Sequence, residues 1–492
     1  MLFNSLQFLI FFPLIVAFYF SLPHWFRWIL LLVASYYFYM CWKAEYLILI
    51  VVSTLIDYYA GVMMGKTGDK RKRKKYLILS LFSNLGLLFA FKYFNFFNES
   101  ARALFNHLNI FYNVPAFNVL LPVGISFYTF QTMSYSIDVY RGDKEPERNL
   151  GIFALYVAFF PQLVAGPIER STRLMPQFFE KKKFEYQRVC DGLKLMLWGF
   201  FKKVVIADRL AVFVNQVYSA PTEYTGMPLL VATYFFAFQI YCDFSGYSDI
   251  AIGSAQVLGY DLMDNFNRPY FSKSIAEFWK RWHISLSSWF RDYLYIPLGG
   301  NRVAKWRWYV NLITVFLVSG LWHGASWTFV VWGGLHGFYL MFSIVTEKAR
   351  KAVARFFFID TVPELQAFLK MFITFHLVLF AWMFFRANSL SDALYICTHW
   401  LPACSIQGLK AYCDTWFSYW GSWGYLMKSE FLLSIFCILF MEFIHLIQRH
   451  ESIRHMLAQR PRWYRWAIYY GIIVLILIFG EFTKQQFIYF QF

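Results

Sequence analysis

At 492 residues the chain is long enough for several soluble domains, but its composition excludes a soluble protein. Hydrophobic residues make up 59% of the sequence, aromatic residues 23% and charged residues only 15%. Apolar runs recur along the whole chain, many near the roughly 20 residues that a helix needs to cross a bilayer. We therefore predict an all-α integral membrane protein with about eleven transmembrane helices and further re-entrant or horizontal helices. The alternating segments typical of a β-barrel are not seen.

The net charge of +17 arises from 46 Lys and Arg residues against 29 Asp and Glu residues. So basic a chain suggests nucleic-acid binding, but the positions of the charges favour another interpretation. The basic residues cluster in short loops at 66–75, 141–148, 170–183, 302–307, 348–355 and 449–465. This pattern follows the positive-inside rule, which predicts that these loops face the cytoplasm. The low-charge stretches 96–117 and 388–425 are then predicted to face outward.

The whole chain, 1–492, is predicted to form one membrane domain, since no internal repeat stands out. Within it, 1–64 is predicted to be scaffold, 118–345 the functional core and 366–492 the last spans. The scaffold contains three plain apolar segments, at 6–20, 29–42 and 47–64. The first of these lacks a basic leader and a cleavage site, so we interpret it as a retained span rather than a signal peptide.

The seven cysteines show no metal-ligand spacing, so we expect no metal site. No bound cofactor is expected either. Cys397, Cys404 and Cys413 fall on the predicted outward side, where one disulfide could form.

Polar and helix-breaking residues enter the apolar runs in the middle of the chain. Pro122 and Gly124 precede one such run, and the stretch 159–167 contains further Pro and Gly residues. Asp243 and Asp249 add two carboxylates to another apolar stretch. Such residues persist at membrane depth only where protein or a water-filled cavity satisfies them, so a polar interior cavity is predicted.

His323 lies inside the run from Tyr309 to Thr346, which contains no Asp, Glu, Lys or Arg. One straight helix of these 38 residues would extend about 57 Å, whereas a bilayer core is roughly 30 Å thick. Both flanks are basic, so a hairpin is predicted, with Gly320, Gly324, Gly333 and Gly334 as the available breaking points. His336 lies thirteen residues beyond His323 and shares a site with it only if such a break brings them together.

An ionisable residue within the membrane is a candidate functional site, although His323 could also be a core histidine bonded to a backbone carbonyl. Just upstream, the segment 278–292 places His283 and several charges among tryptophans. Its basic residues Lys280, Arg281 and Arg291 suit the phosphates of an anionic ligand, or are ordinary anchors at the inner face.

Several motifs in this part of the chain, in matching order, resemble the membrane-bound O-acyltransferases, and in particular their bacterial branch that acetylates alginate and peptidoglycan. The motifs are Leu-Pro-Val-Gly-Ile-Ser-Phe-Tyr-Thr-Phe from Leu121, Phe-Pro-Gln-Leu-Val-Ala-Gly-Pro from Phe160, Asp-Phe-Ser-Gly-Tyr-Ser-Asp from Asp243, Phe-Trp-Lys-Arg-Trp-His-Ile-Ser-Leu-Ser from Phe278, Leu-Gly-Gly-Asn-Arg from Leu298 and Gly-Leu-Trp-His-Gly-Ala from Gly320. The resemblance implies a ring of helices around a central funnel, with His323 at its narrow point. His283 would then lie on the cytoplasmic side of the funnel.

The resemblance further implies acyl transfer from cytoplasmic acetyl-CoA to an exported polysaccharide, across the bacterial inner membrane. His323 would be the catalytic base, Asp243 or Asp249 could orient it, and Lys280, Arg281 and Arg291 would bind the donor. Because the chain has no large domain to hold a polymer, a separate periplasmic or membrane-anchored transferase is the expected partner. Two alternatives remain open at this point: D-alanyl transfer to teichoic acid from a carrier protein, and a transporter without enzymatic activity.

The sequence ends in the aromatic stretch 487–492, which contains Tyr489. The loop 449–465 is basic and 467–482 is just long enough to cross, so this stretch is predicted to emerge outside. It resembles the C-terminal motif of the small membrane peptide in the D-alanylation system, which implies that Tyr489 accepts the acyl group and passes it to the partner. The alternative is an aromatic anchor at the membrane interface.

Overall fold

A computed structural model describes residues 1–117, 122–164, 166–401, 408, 410, 413–414, 417–418, 420–421, 425–449, 453–482 and 487–488. All regular structure within these ranges is helical, which agrees with the predicted fold class. Leu121, Cys404 and Tyr489, which the sequence singled out, lie outside the described residues. Cys397 and Cys413 are free thiols, so the proposed disulfide has no counterpart among the described cysteines.

The first half of the chain forms helices of very different lengths. In chain order they are α1 (Leu6–Ser21), α2 (His24–Met40), α3 (Leu47–Lys66), α4 (Lys70–Leu88), α5 (Phe94–His107), α6 (Ile125–Arg141), α7 (Leu150–Ala158), α8 (Phe160–Leu163), α9 (Ser171–Phe179), α10 (Tyr186–Phe200), α11 (Asp208–Ser219) and α12 (Met227–Leu258). The three predicted scaffold segments correspond to α1, α2 and α3. Two π-helical turns, Phe89–Tyr93 and Phe201–Ala207, join α4 to α5 and α10 to α11.

The second half contains the segments to which the sequence assigns chemistry. Its helices are α13 (Ile275–Arg281), α14 (Ile284–Phe290), α15 (Lys305–His323), α16 (Trp327–Val345), α17 (Glu347–Phe356), α18 (Pro363–Arg386), α19 (Leu390–His399), α20 (Tyr425–Ile447), α21 (Ile453–Ala458) and α22 (Arg462–Phe479). A third π-helical turn, Arg291–Tyr295, follows α14.

Seven helical stretches in the described ranges are long and apolar enough to cross a membrane, so the protein is a multi-pass membrane protein. They are Ala44–Lys66, Lys70–His107, Met227–Leu258, Trp327–Val345, Pro363–Arg386, Lys428–Ile447 and Arg462–Phe479. The shorter helix Leu6–Ser21 is also apolar. The total of eleven spans stays a prediction.

The chain divides into two compact units, each assembled from separate parts of the sequence. Unit 1 contains Met1–Met196, Ser248–Asp264 and Ser288–Leu294, and unit 2 contains Leu197–Tyr247, Asn265–Ser287 and Tyr295–Phe492.

Unit 1 contains a buried polar network between α3, α4 and α6. The Asp57 carboxylate on α3 accepts hydrogen bonds from Ser80 at 2.5 Å and from Asn84 at 2.9 and 2.8 Å, both on α4. Ser136 on α6 donates to the same carboxylate at 3.5 Å. Buried polar groups in a membrane protein need such protein partners, and here they join three helices.

In unit 2, α15 and α16 form the hairpin that the charge-free run predicted. The chain breaks at Gly324, where the backbone is extended, and Ser326 starts α16 by accepting a hydrogen bond from the Thr328 amide at 3.3 Å. Gly320 and Gly333 are not the breaking points but the places where the two helices approach most closely. A Cβ atom added at Gly333 would lie 2.2 Å from the Phe316 carbonyl oxygen, and one at Gly320 would lie 2.2 Å from that of Phe329.

We predict that Gly333→Ala destabilises the protein by about 1–3 kcal/mol, because the new methyl group forces the two helices apart. Gly334→Ala is the matched control, since its Cβ atom would meet its nearest neighbour, a Leu317 methyl group, at 3.7 Å. Thermal unfolding of the two variants in the same detergent measures the difference. Equal melting temperatures would show that the close approach at Gly333 is not needed.

Candidate active site

His323 is placed by the hairpin as the last residue of α15, just before the break at Gly324. Its side chain is buried, with the residue only 3% exposed. Three aromatic rings surround the imidazole: its centroid lies 4.9 Å from that of Trp322, 4.9 Å from that of Trp332 and 5.3 Å from that of Phe385. All three rings stand edge-on to it, which is a favourable geometry for aromatic pairs. The hairpin and α18 therefore enclose His323 in an apolar surround.

His283 lies between α13 and α14 with an unusual backbone conformation. Its φ of +43° is in the left-handed region, which is uncommon for residues other than glycine and often marks a functional site. The imidazole is fully buried, and Nδ1 lies 3.1 Å from the side-chain oxygen of Asn265.

Asn265 determines which nitrogen of His283 carries the proton. Its side-chain oxygen also accepts hydrogen bonds from the Ser285 hydroxyl at 2.8 Å and the Ser285 amide at 3.3 Å. Since this oxygen can only accept, Nδ1 of His283 is the protonated nitrogen and Nε2 is the basic one. Burial lowers the pKa of His283 to about 3, so the imidazole is neutral at physiological pH.

Trp322 connects the two histidines. Its ring centroid lies 4.9 Å from that of His323 and 6.1 Å from that of His283. His283 also packs edge-on against Phe244 of α12, with ring centroids 4.6 Å apart. Two motifs that are forty residues apart in the sequence thus meet around one tryptophan.

His336 joins the same aromatic cluster because the break at Gly324 folds α16 back along α15. The Trp332 ring contacts both His323, at 4.9 Å, and His336, at 5.0 Å. The indole N–H of Trp279 donates to Nδ1 of His336 at 3.3 Å. These contacts place His336 one aromatic ring away from His323.

A basic cleft opens elsewhere in unit 2. It is lined by Arg268, Phe271, Lys273, Glu277, Arg281, Met371, His445 and Arg449. Glu277 pairs with Arg281 at 2.7 Å, which leaves an excess of positive charge in the lining. Arg281 was singled out from the sequence, whereas Lys280 is exposed and is not among the lining residues.

Comparison with known proteins identifies the family. The sequence profile of the membrane-bound O-acyltransferase family matches residues 148–386. The chain is 42% identical over 395 residues to the probable alginate O-acetylase of Azotobacter vinelandii. The matched region covers 80% of this chain and 76% of that protein. The chain belongs to the membrane-bound O-acyltransferase family. It is therefore an acyltransferase, as the motifs suggested.

Two other relatives indicate the range of activities within this family. The peptidoglycan O-acetyltransferase of Helicobacter pylori is 38% identical over 392 residues, covering 74% of this chain and 72% of that protein. The teichoic acid D-alanyltransferase of Bacillus subtilis is 28% identical over 288 residues, covering 56% of this chain and 71% of that protein.

The remaining predicted site residues that the structure describes are divided between the two units. Asp243 lies in unit 2, where its carboxylate pairs with Lys203 at 2.7 Å. Asp249 and Arg291 belong to unit 1, and Arg291 pairs with the neighbouring Asp292 at 2.8 Å. Tyr489 lies outside the described residues.

Sequence reasoning missed Asn265 and Lys203. Asn265 could have been suspected, because it is a polar residue in the connection 259–274 between α12 and the motif that begins at Phe278. Lys203 could have been suspected because Lys202 and Lys203 are adjacent charges in an apolar stretch. The basic cleft was not predicted as a whole, because its lining residues are far apart in the sequence. Only Arg281, in the segment 278–292, and Arg449, in the basic range 449–465, stood out from the sequence.

Proposed function

We propose that the enzyme transfers an acetyl group from cytoplasmic acetyl-CoA across the inner membrane, for O-acetylation of an exported cell-surface polysaccharide. The observation that carries this proposal is the pair of buried histidines, His283 and His323, whose rings both lie near that of Trp322. The relatives named for alginate and peptidoglycan O-acetylation support an acetyl group and a polysaccharide acceptor. A ring of about eleven helices around a funnel, open to both faces, would let donor and acceptor approach from opposite sides.

His323 acts as the general base in this proposal. Its imidazole takes the proton of an acceptor hydroxyl as that oxygen attacks the carbonyl carbon of the thioester. The tetrahedral intermediate then expels the thiolate of coenzyme A, which takes up the proton. The surrounding rings of Trp332 and Phe385 keep water from competing for the thioester.

The donor phosphates bind in the basic cleft. Arginine side chains suit phosphate, because the planar guanidinium makes paired hydrogen bonds to two oxygens. Arg449 opens the basic range 449–465, which the positive-inside rule assigns to the cytoplasm. In this proposal His283 belongs to the donor side, where its neutral imidazole offers an unprotonated Nε2 atom.

Tyr489 is the first acceptor, and passes the acetyl group to a separate periplasmic or membrane-anchored transferase that modifies the polymer. The described residues just before it support this role. Phe487 and Ile488 are each 1% exposed, and the Phe487 ring packs against Phe244, which in turn contacts His283. An interfacial anchor would instead be expected to face the lipid headgroups.

D-alanyl transfer is the second candidate, because the chain is also similar to a teichoic acid D-alanyltransferase. The O-acetyltransferase relatives are more similar and cover more of the chain, which favours acetyl transfer.

His323→Ala is expected to lower acetyl transfer by at least about a hundredfold, which is the usual contribution of a general base. The purified enzyme is offered acetyl-CoA labelled in the acetyl group, and labelled protein and released coenzyme A are measured. His323→Gln keeps a polar side chain of similar size and should lose activity as well. His107→Ala, which removes an exposed histidine of α5, is the control. Full activity of the His323 variants would refute the base assignment, and an intact thioester with the wild-type enzyme would refute acyl transfer.

Arg449→Glu is expected to raise KM for acetyl-CoA by about tenfold or more, because a charge-assisted contact to phosphate becomes a repulsion. The value of kcat should change little, since the cleft binds the donor but does not contact the reacting carbonyl. Arg355→Glu reverses an exposed basic residue of α17 that is not among the cleft residues, and should leave KM unchanged. Equal KM values for the two variants would exclude the cleft as the donor site.

Tyr489→Phe is expected to abolish acetylation of the polymer in cells while the protein inserts normally. The substitution keeps the aromatic ring but removes the nucleophilic hydroxyl. Mass spectrometry of the C-terminal peptide should find an acetyl ester in the wild-type protein and none in the variant. Normal polymer acetylation by Tyr489→Phe would leave the anchor as the role of this residue.

A further inference from the structure

Two adjacent lysines are buried in the π-helical turn Phe201–Ala207 of unit 2. Lys202 is 3% exposed and Lys203 is 2% exposed. The Lys203 ammonium lies 2.7 Å from a carboxylate oxygen of Asp208 and 2.7 Å from Oδ1 of Asp243. Lys202 donates to the Ser245 hydroxyl of α12 at 2.9 Å. Its ammonium also faces the ring of Tyr241, which lies one turn earlier on α12. Buried charges persist at such a cost only when they are paired, and they commonly serve a function.

Gly246 lets α12 approach the π-helical turn closely enough for these contacts. A Cβ atom at this position would lie 2.8 Å from the carbonyl oxygen of Gly199 and 3.1 Å from the amide nitrogen of Lys203. The close approach of the two backbones brings the Asp243 carboxylate to the Lys203 ammonium.

The second oxygen of Asp243 binds the tail, by which we mean the described residues 480–482 and 487–488. Oδ2 of Asp243 accepts the backbone N–H of Ile488 at 2.8 Å. A carboxylate held by an ammonium group on one oxygen accepts such a bond in a fixed direction, and a charged acceptor makes the bond stronger. Asp243 therefore connects Lys203 to Ile488, which lies 245 residues after Asp243 in the sequence.

The same turn binds the start of the tail. The Glu481 amide donates to the carbonyl oxygen of Val204 at 3.0 Å. Arg209, in the first turn of α11, donates to the Phe479 carbonyl at the end of α22. Further along the tail, the Phe487 ring packs against that of Tyr247 on α12, with centroids 4.6 Å apart. The tail thus contacts the π-helical turn at one end and α12 at the other.

We propose that the Lys203–Asp243 ion pair is a positioning device that fixes the tail beside the histidine site. Asp243 acts through the tail rather than on the reacting atoms, since its described partners are Lys203 and the Ile488 amide. Phe244, the next residue of α12, contacts both His283 and Phe487, so a tail held by Asp243 is also held next to His283. The docking of the tail rests on these contacts alone. The purpose of the docking, which is to present Tyr489 for acetylation, rests on the proposed function.

The test compares Asp243→Ala with Ile488→Pro, which removes the amide donor together with the Ile488 side chain but leaves both members of the ion pair in place. Hydrogen–deuterium exchange of the tail amides, in the full-length protein in nanodiscs, reports docking directly. The Phe487 amide of both variants should exchange about tenfold faster than that of the wild-type protein. This factor is the loss of protection expected when a hydrogen bond to a charged acceptor is removed from the tail. Exchange in α15 and α16 should stay unchanged, which separates undocking from general unfolding.

Two further variants serve as controls. Ile488→Val keeps the amide, and Asp57→Asn removes a buried carboxylate whose hydrogen bonds come from Ser80, Asn84 and Ser136 of unit 1. Both should show wild-type exchange in the tail. Wild-type exchange in Asp243→Ala or in Ile488→Pro would overturn the positioning role. Fast tail exchange with full acetyl transfer would support the docking but refute the relay through Tyr489, so the two proposals can fail separately.

Discussion

Charged and titratable side chains buried among apolar helices need partners within the protein, because the hydrocarbon core of a membrane offers no water. Unit 2 meets this requirement with contacts between segments that are far apart in sequence. Asn265 accepts a hydrogen bond from His283, Trp279 donates one to His336, and Lys203 pairs with Asp243. Each partner belongs to another helix or loop, so the same contacts that satisfy the polar groups also fix the geometry of the site.

The apolar surround of His323 depends on a second constraint, the close packing of α15 against α16. Small residues allow helix backbones to approach in membrane proteins, where van der Waals contact replaces the hydrophobic effect between helices. Gly320 and Gly333 face each other in this way, and their contact brings Trp332 against the imidazole. The basic cleft has the opposite character, since it is lined by charged side chains. Unit 2 therefore contains both an enclosed apolar region around His323 and a cleft lined largely by charged side chains.

Much of the local structure could be predicted from the sequence. The apolar runs predicted the scaffold helices, with boundaries within a few residues of α1 and α3 and several residues later than the start of α2. The charge-free run of 38 residues predicted a hairpin, because one helix of that length is too long for a bilayer. The exact break was less certain, since any of four glycines could have ended the first helix. Gly324 does so, while Gly320 and Gly333 serve the packing of the two helices.

The sequence by itself also determined the family and the identity of His283 and His323 as candidate residues, because motifs are local and keep their order along the chain. Only the tertiary structure decided which residues lie in contact with each other. That Trp322 joins the two histidines, that Asn265 sets the protonated nitrogen of His283, and that Asp243 binds both Lys203 and the tail could not be read from spacing. Sequence periodicity reports the face of one helix, whereas these contacts depend on how separate helices and loops pack against each other.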